Sequence, residues 1–204
     1  LTDYNVAIGY DALRDLVGDG STNNEATYNV ALGASAGQTI TTGSKNTSIG
    51  ARTMQATTVG QENVALGYQA MYTNVDGSKC VAIGANALLT QDPASAVDMY
   101  NVAVGYNAGY AVTTGVQNTL IGGLAGDALT TGSSNTCIGY NSGSTLSTGE
   151  SNIAIGLNAL DGEDTGSKNI AIGQSALGAL NFDGNGYNVA VGHDAGKTVT
   201  TGLQ

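Results

Sequence analysis

The sequence predicts an all-β protein, a parallel β-solenoid (β-roll) of about eleven 17-residue coils. Three observations lead to this prediction: one motif recurs along the whole chain, its bulky residues alternate with small ones, and its Gly residues stand at fixed places. The motif is Asn-x-Ala-aliphatic-Gly, and such a repeat is typical of chains in which each unit stacks on the next. The composition agrees, since 31 Gly, one Pro and 11% charged residues are unusual for a globular enzyme.

The repeats form a single array over residues 1–204. Its coils start near residues 5, 29, 46, 63, 80, 101, 118, 135, 152, 169 and 188. Seven of the ten steps measure 17 residues, and the other three measure 24, 21 and 19. Longer steps are typical of surface loops inserted into a core turn of fixed length. Below, repeat positions are numbered 1 to 17 from the Asn, or from Cys80 where Cys replaces it.

Each coil is predicted to begin with a short strand. Positions 2 and 4 are aliphatic or Thr, position 3 is small except at Leu120 and Cys137, and position 5 is always Gly. Alternation with period two indicates a strand with one bulky face and one nearly bare face. Small residues at position 8 and Gly at position 15 indicate two corners with a second strand between them. Stacking at ~4.8 Å gives a rod roughly 50 Å long.

Two further patterns indicate a shared core. Where position 9 is Gly, position 12 is aliphatic, as in Gly37 with Ile40, whereas Met54 at position 9 pairs with Thr57 at position 12. Each coil therefore supplies one large apolar group from its second half, which conserves core volume. The Asn at position 1 is expected to hydrogen-bond from coil to coil.

The phrases NVAIGYDAL, NVALGYQAM, NIAIGLNAL and NIAIGQSAL resemble the head repeats of trimeric autotransporter adhesins. They are still more similar to the Asn-x-Ala-Ile-Gly arrays of phage and bacterial tail fibres. The resemblance covers the whole chain. It implies a β-roll that trimerises, a non-enzymatic fibre or adhesin module, and a place outside the cell or on the virion surface.

The residues themselves also predict a homotrimer. Ala and Gly at positions 3 and 5 would leave one strand face small enough for another chain to approach closely, so this bare face is the expected interface. The chain is further expected to be an excerpt of a longer fibre protein, because it opens within one repeat and stops where the next Asn would stand.

Composition argues against several partners and chemistries. A net charge of -10 with only six Lys and Arg disfavours nucleic acid, and no apolar run is long enough for membrane insertion. His193 is expected to be a turn residue, and residues 161–166 a solvated acidic turn. Asn181, Asp183 and Asn185 resemble the start of a calcium loop, but Gly192 stands where its bidentate acid should be. No cofactor, metal or catalytic residue is predicted.

Recognition is expected in the three insertions, which all follow position 9 and should project from one side. Each insertion ends in a Tyr that could anchor the returning chain or stack on a sugar ring. The candidate ligand-contact residues are Asp19, Asn23, Tyr28, Asp92, Tyr100, Asn181, Asp183 and Tyr187. The expected ligand is a surface glycan or a host receptor. A polysaccharide-degrading solenoid enzyme of the tail-spike type and an ice-binding protein using Thr39 and Thr41 are the alternatives.

Overall fold

The computed structural model describes residues 4–17 and 26–201, and it shows a parallel β-solenoid. Eleven three-residue strands stack in chain order in one sheet, and the described residues contain no helix. These strands are β1 (Val6–Ile8), β2 (Val30–Leu32), β3 (Thr47–Ile49), β4 (Val64–Leu66), β6 (Val81–Ile83), β8 (Val102–Val104), β9 (Thr119–Ile121), β10 (Thr136–Ile138), β11 (Ile153–Ile155), β12 (Ile170–Ile172) and β13 (Val189–Val191). Two shorter strands, β5 (Gly77–Ser78) and β7 (Val97–Asp98), form a separate parallel pair. The predicted all-β parallel solenoid is confirmed.

The coils stack in register. Val64 pairs with Val81 and Ala65 with Ala82, and the same one-to-one pairing of repeat positions holds at every step of the sheet. Each strand of the large sheet starts one residue after a predicted coil start. Because every coil places the same position above its predecessor, each position forms a column along the rod.

The predicted second strand is wrong. Positions 6 to 11 form successive turns, because positions 7 and 9 have positive φ in every coil, including Arg52 at 59° and Leu88 at 49°. A strand requires negative φ throughout. Backbone hydrogen bonds still join this side of the coils, as from the Met71 N–H to the Ala87 carbonyl at 2.9 Å.

The two faces of the strand are reversed relative to the prediction. Ala at position 3 points inward, and Ala154 and Ala171 are fully buried. The bulky neighbours point outward: Ile153 and Ile155 are half-buried, and Val6 and Ile8 in the first coil are exposed. The interior is narrow, since buried Ala also fills position 8 of most coils, and it holds about one large side chain per coil. The bare face is therefore the chain's own core rather than an interface.

Glycine at position 5 is also required by the packing within one chain and not by contact with another chain. A Cβ on Gly156 would lie 2.7 Å from the carbonyl carbon of Gly173, in the next coil, and Gly156 has a φ of 131°. This Gly permits coil-to-coil stacking, so the proposed contact of positions 3 and 5 with another chain is wrong.

The predicted exchange of the large apolar residue between positions 9 and 12 is confirmed in the 17-residue coils. A Cβ on Gly37 would lie 2.9 Å from the Cδ1 of Ile40, so only one of the two positions can hold a large side chain there. The large apolar residues buried at these positions are Leu13, Ile40, Met54, Met71, Leu88, Val112, Leu129, Leu146, Leu160, Leu177 and Leu180. The coil at 169 departs from the exchange, because it buries both Leu177 and Leu180.

The predicted Asn column is also confirmed. The Asn135 Oδ1 accepts hydrogen bonds from the backbone N–H of Asn152 at 3.0 Å and from its side chain at 3.2 Å. The Asn135 amide donates to the carbonyl of Gly149, at position 15 of its own coil, at 2.8 Å. Cys80 interrupts the column and has no amide oxygen to offer the next Asn. The Oε1 of Gln91 replaces that acceptor, and it accepts a hydrogen bond from the Asn101 side-chain amide at 2.9 Å.

Candidate functional site

The two described insertions lie on the same edge of the rod, as predicted. Each leaves its coil after a buried residue at position 12, Gln91 or Leu180, and rejoins it at a position-17 tyrosine, Tyr100 or Tyr187. Of the first insertion, the structure describes only the flanks, so Asp19 and Asn23 lie outside the described residues. We call residues 92–100 and 181–187 the insertion edge.

The 92–100 insertion is held against the preceding coil. Its strand β7 pairs with β5, and Met99 is fully buried beneath the returning chain. Asp92, at the start of the insertion, is exposed, and its carboxylate accepts a long hydrogen bond of 3.4 Å from the Val75 N–H. The loop therefore displays polar groups from a fixed base.

A charged cluster surrounds Tyr100. Lys79 Nζ lies 2.5 Å from the Asp98 carboxylate and 5.5 Å from the centroid of the Tyr100 ring, and the Tyr100 hydroxyl donates to Asp98 at 3.2 Å. The hydrogen bond between Lys79 and Asp98 lowers the pKa of Asp98 and raises the pKa of Lys79. Both groups are solvent-accessible, so the pair contributes little to stability.

The other insertion tyrosines make corresponding contacts. Lys168 Nζ lies 5.2 Å from the ring centroid of Tyr187 and 3.3 Å from its hydroxyl. Tyr28 stacks on Tyr4, with ring centroids 5.1 Å apart. Each Tyr thus packs on the residue at position 17 of the preceding coil, which is the contact expected of an anchor for the returning chain. Half or more of the surface of each Tyr remains exposed.

The base of the 181–187 insertion contains a buried carboxylate. Glu163 is fully buried and accepts hydrogen bonds from the Gly166 N–H at 2.8 Å and, at 3.3 Å, from the Phe182 N–H. Burial raises the pKa of Glu163, while the two N–H donors act against that rise. The expected solvated turn at 161–166 is therefore wrong for Glu163. The missed signal was the repeat position of Glu163, because position 12 also points inward in the other coils.

Above this base, Asn181 and Asp183 are exposed, and Asp183 accepts a hydrogen bond from the Thr165 hydroxyl. His193 is exposed in the last coil, with Nδ1 3.4 Å from the Asp194 carboxylate. In residues 4–17 and 26–201, no group of three or more His, Cys, Asp or Glu side chains is placed to hold a metal ion. Within the same ranges, no helix has the length and apolar character needed to cross a membrane.

A second surface is the outward face, which consists of positions 2 and 4 of all eleven strands of the large sheet. Every one of these positions is Val, Ile, Leu or Thr, so the face carries no charge. It remains partly or fully exposed along the whole stack, with Leu66 at 42% and Ile121 at 37% exposure in the middle of the rod. The sequence identified these residues but placed them in the core.

Comparison with models of protein families, with curated proteins and with solved structures finds no match to this chain.

Proposed function

We propose that this chain is a non-enzymatic structural module of a fibre or adhesin. Three copies assemble through the outward face into a rigid rod outside the cell or on a virion, and the insertion edge attaches the rod to a host or surface receptor. The observation that carries this proposal is the uncharged face of Val, Ile, Leu and Thr along the full stack of strands.

The size of the outward face supports assembly. Eleven strands at ~4.8 Å give a length of roughly 50 Å, and two side-chain columns about 7 Å apart give several hundred Å² of apolar surface. The largest apolar patch on a typical monomer is roughly 300–600 Å², and such patches mark interaction sites. A stable interface buries about 800 Å² per partner, so the borders of the face must contribute together with the face itself.

A second copy of the same chain is the favoured occupant. The chain carries 16 acidic and six basic residues, and none of them lies on the outward face. Charged surfaces of two copies would therefore repel one another, whereas two outward faces meet without charge. The similarity of the repeats to trimeric fibre proteins favours three copies.

The insertion edge supports attachment. Loops held by a rigid scaffold commonly carry binding residues, and the insertions are where such loops break the repeat. They follow position 12, away from strand positions 2 and 4, so assembly through the outward face leaves them accessible.

Trimming the three insertions to 17-residue coils tests this role. The trimmed protein should keep its β-sheet circular dichroism and its assembled mass, because the core columns are unchanged, and it should lose attachment to host cells or surfaces. Attachment that survives the trimming of all three insertions would refute the role of the edge.

Ice binding receives no support from the described residues. The Thr39 hydroxyl donates to the Gln55 carbonyl at 2.7 Å and the Thr41 hydroxyl to the Thr58 carbonyl at 3.2 Å. These hydroxyls therefore already join neighbouring coils.

A further inference from the structure

Three exposed tyrosines form a row on the turn that follows the strand. Tyr68, Tyr106 and Tyr140 occupy position 6 of the coils that start at 63, 101 and 135, and their exposures are 50%, 60% and 58%. In the described residues, no ring or cation stacks on them, unlike the insertion tyrosines. We call these three residues the tyrosine row.

The row has a fixed spacing. The strands that precede these turns, β4, β8 and β10, alternate in the sheet with β6 and β9, so each Tyr is two coils from the next. Strands stack at ~4.8 Å, which places successive Tyr residues about 9.6 Å apart. The in-register pairing keeps them in one line along the rod.

The coils between them carry small residues at the same position. These are Ala85 and Gly123, and a Cβ on Gly123 would lie 3.3 Å from the Cδ2 of Tyr140. The edge of the Tyr140 ring therefore extends over the coil before it. Alternation of Tyr with a small residue leaves each ring room to lie along the surface.

Amide side chains run beside the row. Position 7 carries Gln69, Asn86, Asn107, Asn141 and Asn158, interrupted by Leu124, and Asn86 donates to Asn107 at 3.1 Å. Positions 6 and 7 hold no charged residue from the coil at 63 through the coil at 152. The surface thus combines aromatic platforms with hydrogen-bonding groups and has no charge.

We infer that the tyrosine row binds an extended neutral polysaccharide with β-1,4-linked hexose units. Aromatic rings pack on the apolar face of a sugar ring, and amides exchange hydrogen bonds with its hydroxyls. Two hexose units of such a chain span about the same length as two coils, so every second sugar presents the same face to a Tyr. The chain's net charge of -10 disfavours polyanionic glycans.

This inference rests on the proposed function, since it gives the assembled rod a second binding surface; the attachment test of the insertion edge therefore uses cells or surfaces that lack such a polysaccharide. The tyrosine row and the insertion edge lie at different places on the coil, so the two binding surfaces can be tested separately. Each Tyr must remain accessible beside the assembled outward face, and this requirement is part of the test.

The test uses cellohexaose as the probe, with maltohexaose and hexagalacturonate as comparators, in calorimetric titrations of the assembled protein. Cellohexaose should bind, whereas curved maltohexaose and anionic hexagalacturonate should bind much more weakly or not at all. Tyr106→Ala should weaken cellohexaose binding about tenfold or more. Tyr106→Phe should retain binding, because the ring and not the hydroxyl makes the contact.

Tyr10→Ala is the matched control, since Tyr10 occupies position 6 three coils before Tyr68 and lies outside the two-coil spacing. It should leave cellohexaose binding unchanged. Absent cellohexaose binding, equal binding of maltohexaose, or a Tyr106→Ala variant that changes the sedimenting mass instead of the affinity would each overturn the inference. The insertion-trimmed protein separates the two proposals, because it should still bind cellohexaose. If the untrimmed protein attaches to its surface but does not bind cellohexaose, this inference is wrong and the role of the insertion edge stands.

Discussion

Replacing Asn135 with Ala should destabilise the fold strongly. Asn135 is fully buried, and its side chain accepts from the Asn152 N–H and donates to the Gly149 carbonyl. The substitution leaves both of these backbone groups unpaired. Each buried unpaired group costs about 1–3 kcal/mol, so the expected loss is about 2–6 kcal/mol.

The assay is guanidinium unfolding followed by circular dichroism, with all proteins at one concentration so that assembly contributes equally. Asn181→Ala is the control, because the Asn181 side chain is exposed, and it should change stability by less than about 0.5 kcal/mol. Equal midpoints for Asn135→Ala and the unmodified protein would refute the hydrogen-bonded Asn column.

Three more outcomes follow from the core. Ala154→Leu should lower the melting temperature, since overpacking the fully buried Ala154 site costs about 1–3 kcal/mol. Burial raises the folded-state pKa of Glu163 above its ordinary 4.5, so the folded chain binds that proton more tightly than the unfolded chain does. The free energy of unfolding should therefore fall as the pH rises from 4.5 through the raised pKa of the folded state. Melting curves of Glu163→Gln should lack that part of the pH dependence, while Asp127 and Asp161, whose pKa values burial also raises, keep theirs. The Cys137 thiol, buried and with a pKa raised to about 12, should react with maleimide only after unfolding, and fast labelling of the native protein would contradict its inward position.

The sequence predicted those features of the fold that depend on spacing. Coil length, strand positions and the exchange of Gly37 with Ile40 follow from periodicity and volume, and both are visible in the residues. Alternation reveals that a strand has two different faces but not which face is inside. The bulky face was assigned to the core, yet the narrow interior accepts Ala154 and leaves Ile153 and Ile155 outside.

The features that the sequence did not predict depend on local backbone conformation and on the direction in which each side chain points. Residues with no preference for positive φ, such as Arg52 and Leu88, adopt it because stacking fixes the turn, so the sequence wrongly predicted a second strand. Glu163 looked like a solvated acid because its neighbours are polar. Its inward position became visible only when the column at position 12 was known.

The sedimenting mass of the unmodified protein tests the central claim, assembly through the outward face, most directly. We expect a single species of three times the 20.3 kDa chain mass, and a monomer for Ile155→Glu, which places a charge in the uncharged face without touching the core. A stable monomer of 20.3 kDa for the unmodified protein, or an unchanged trimer for Ile155→Glu, would contradict the account.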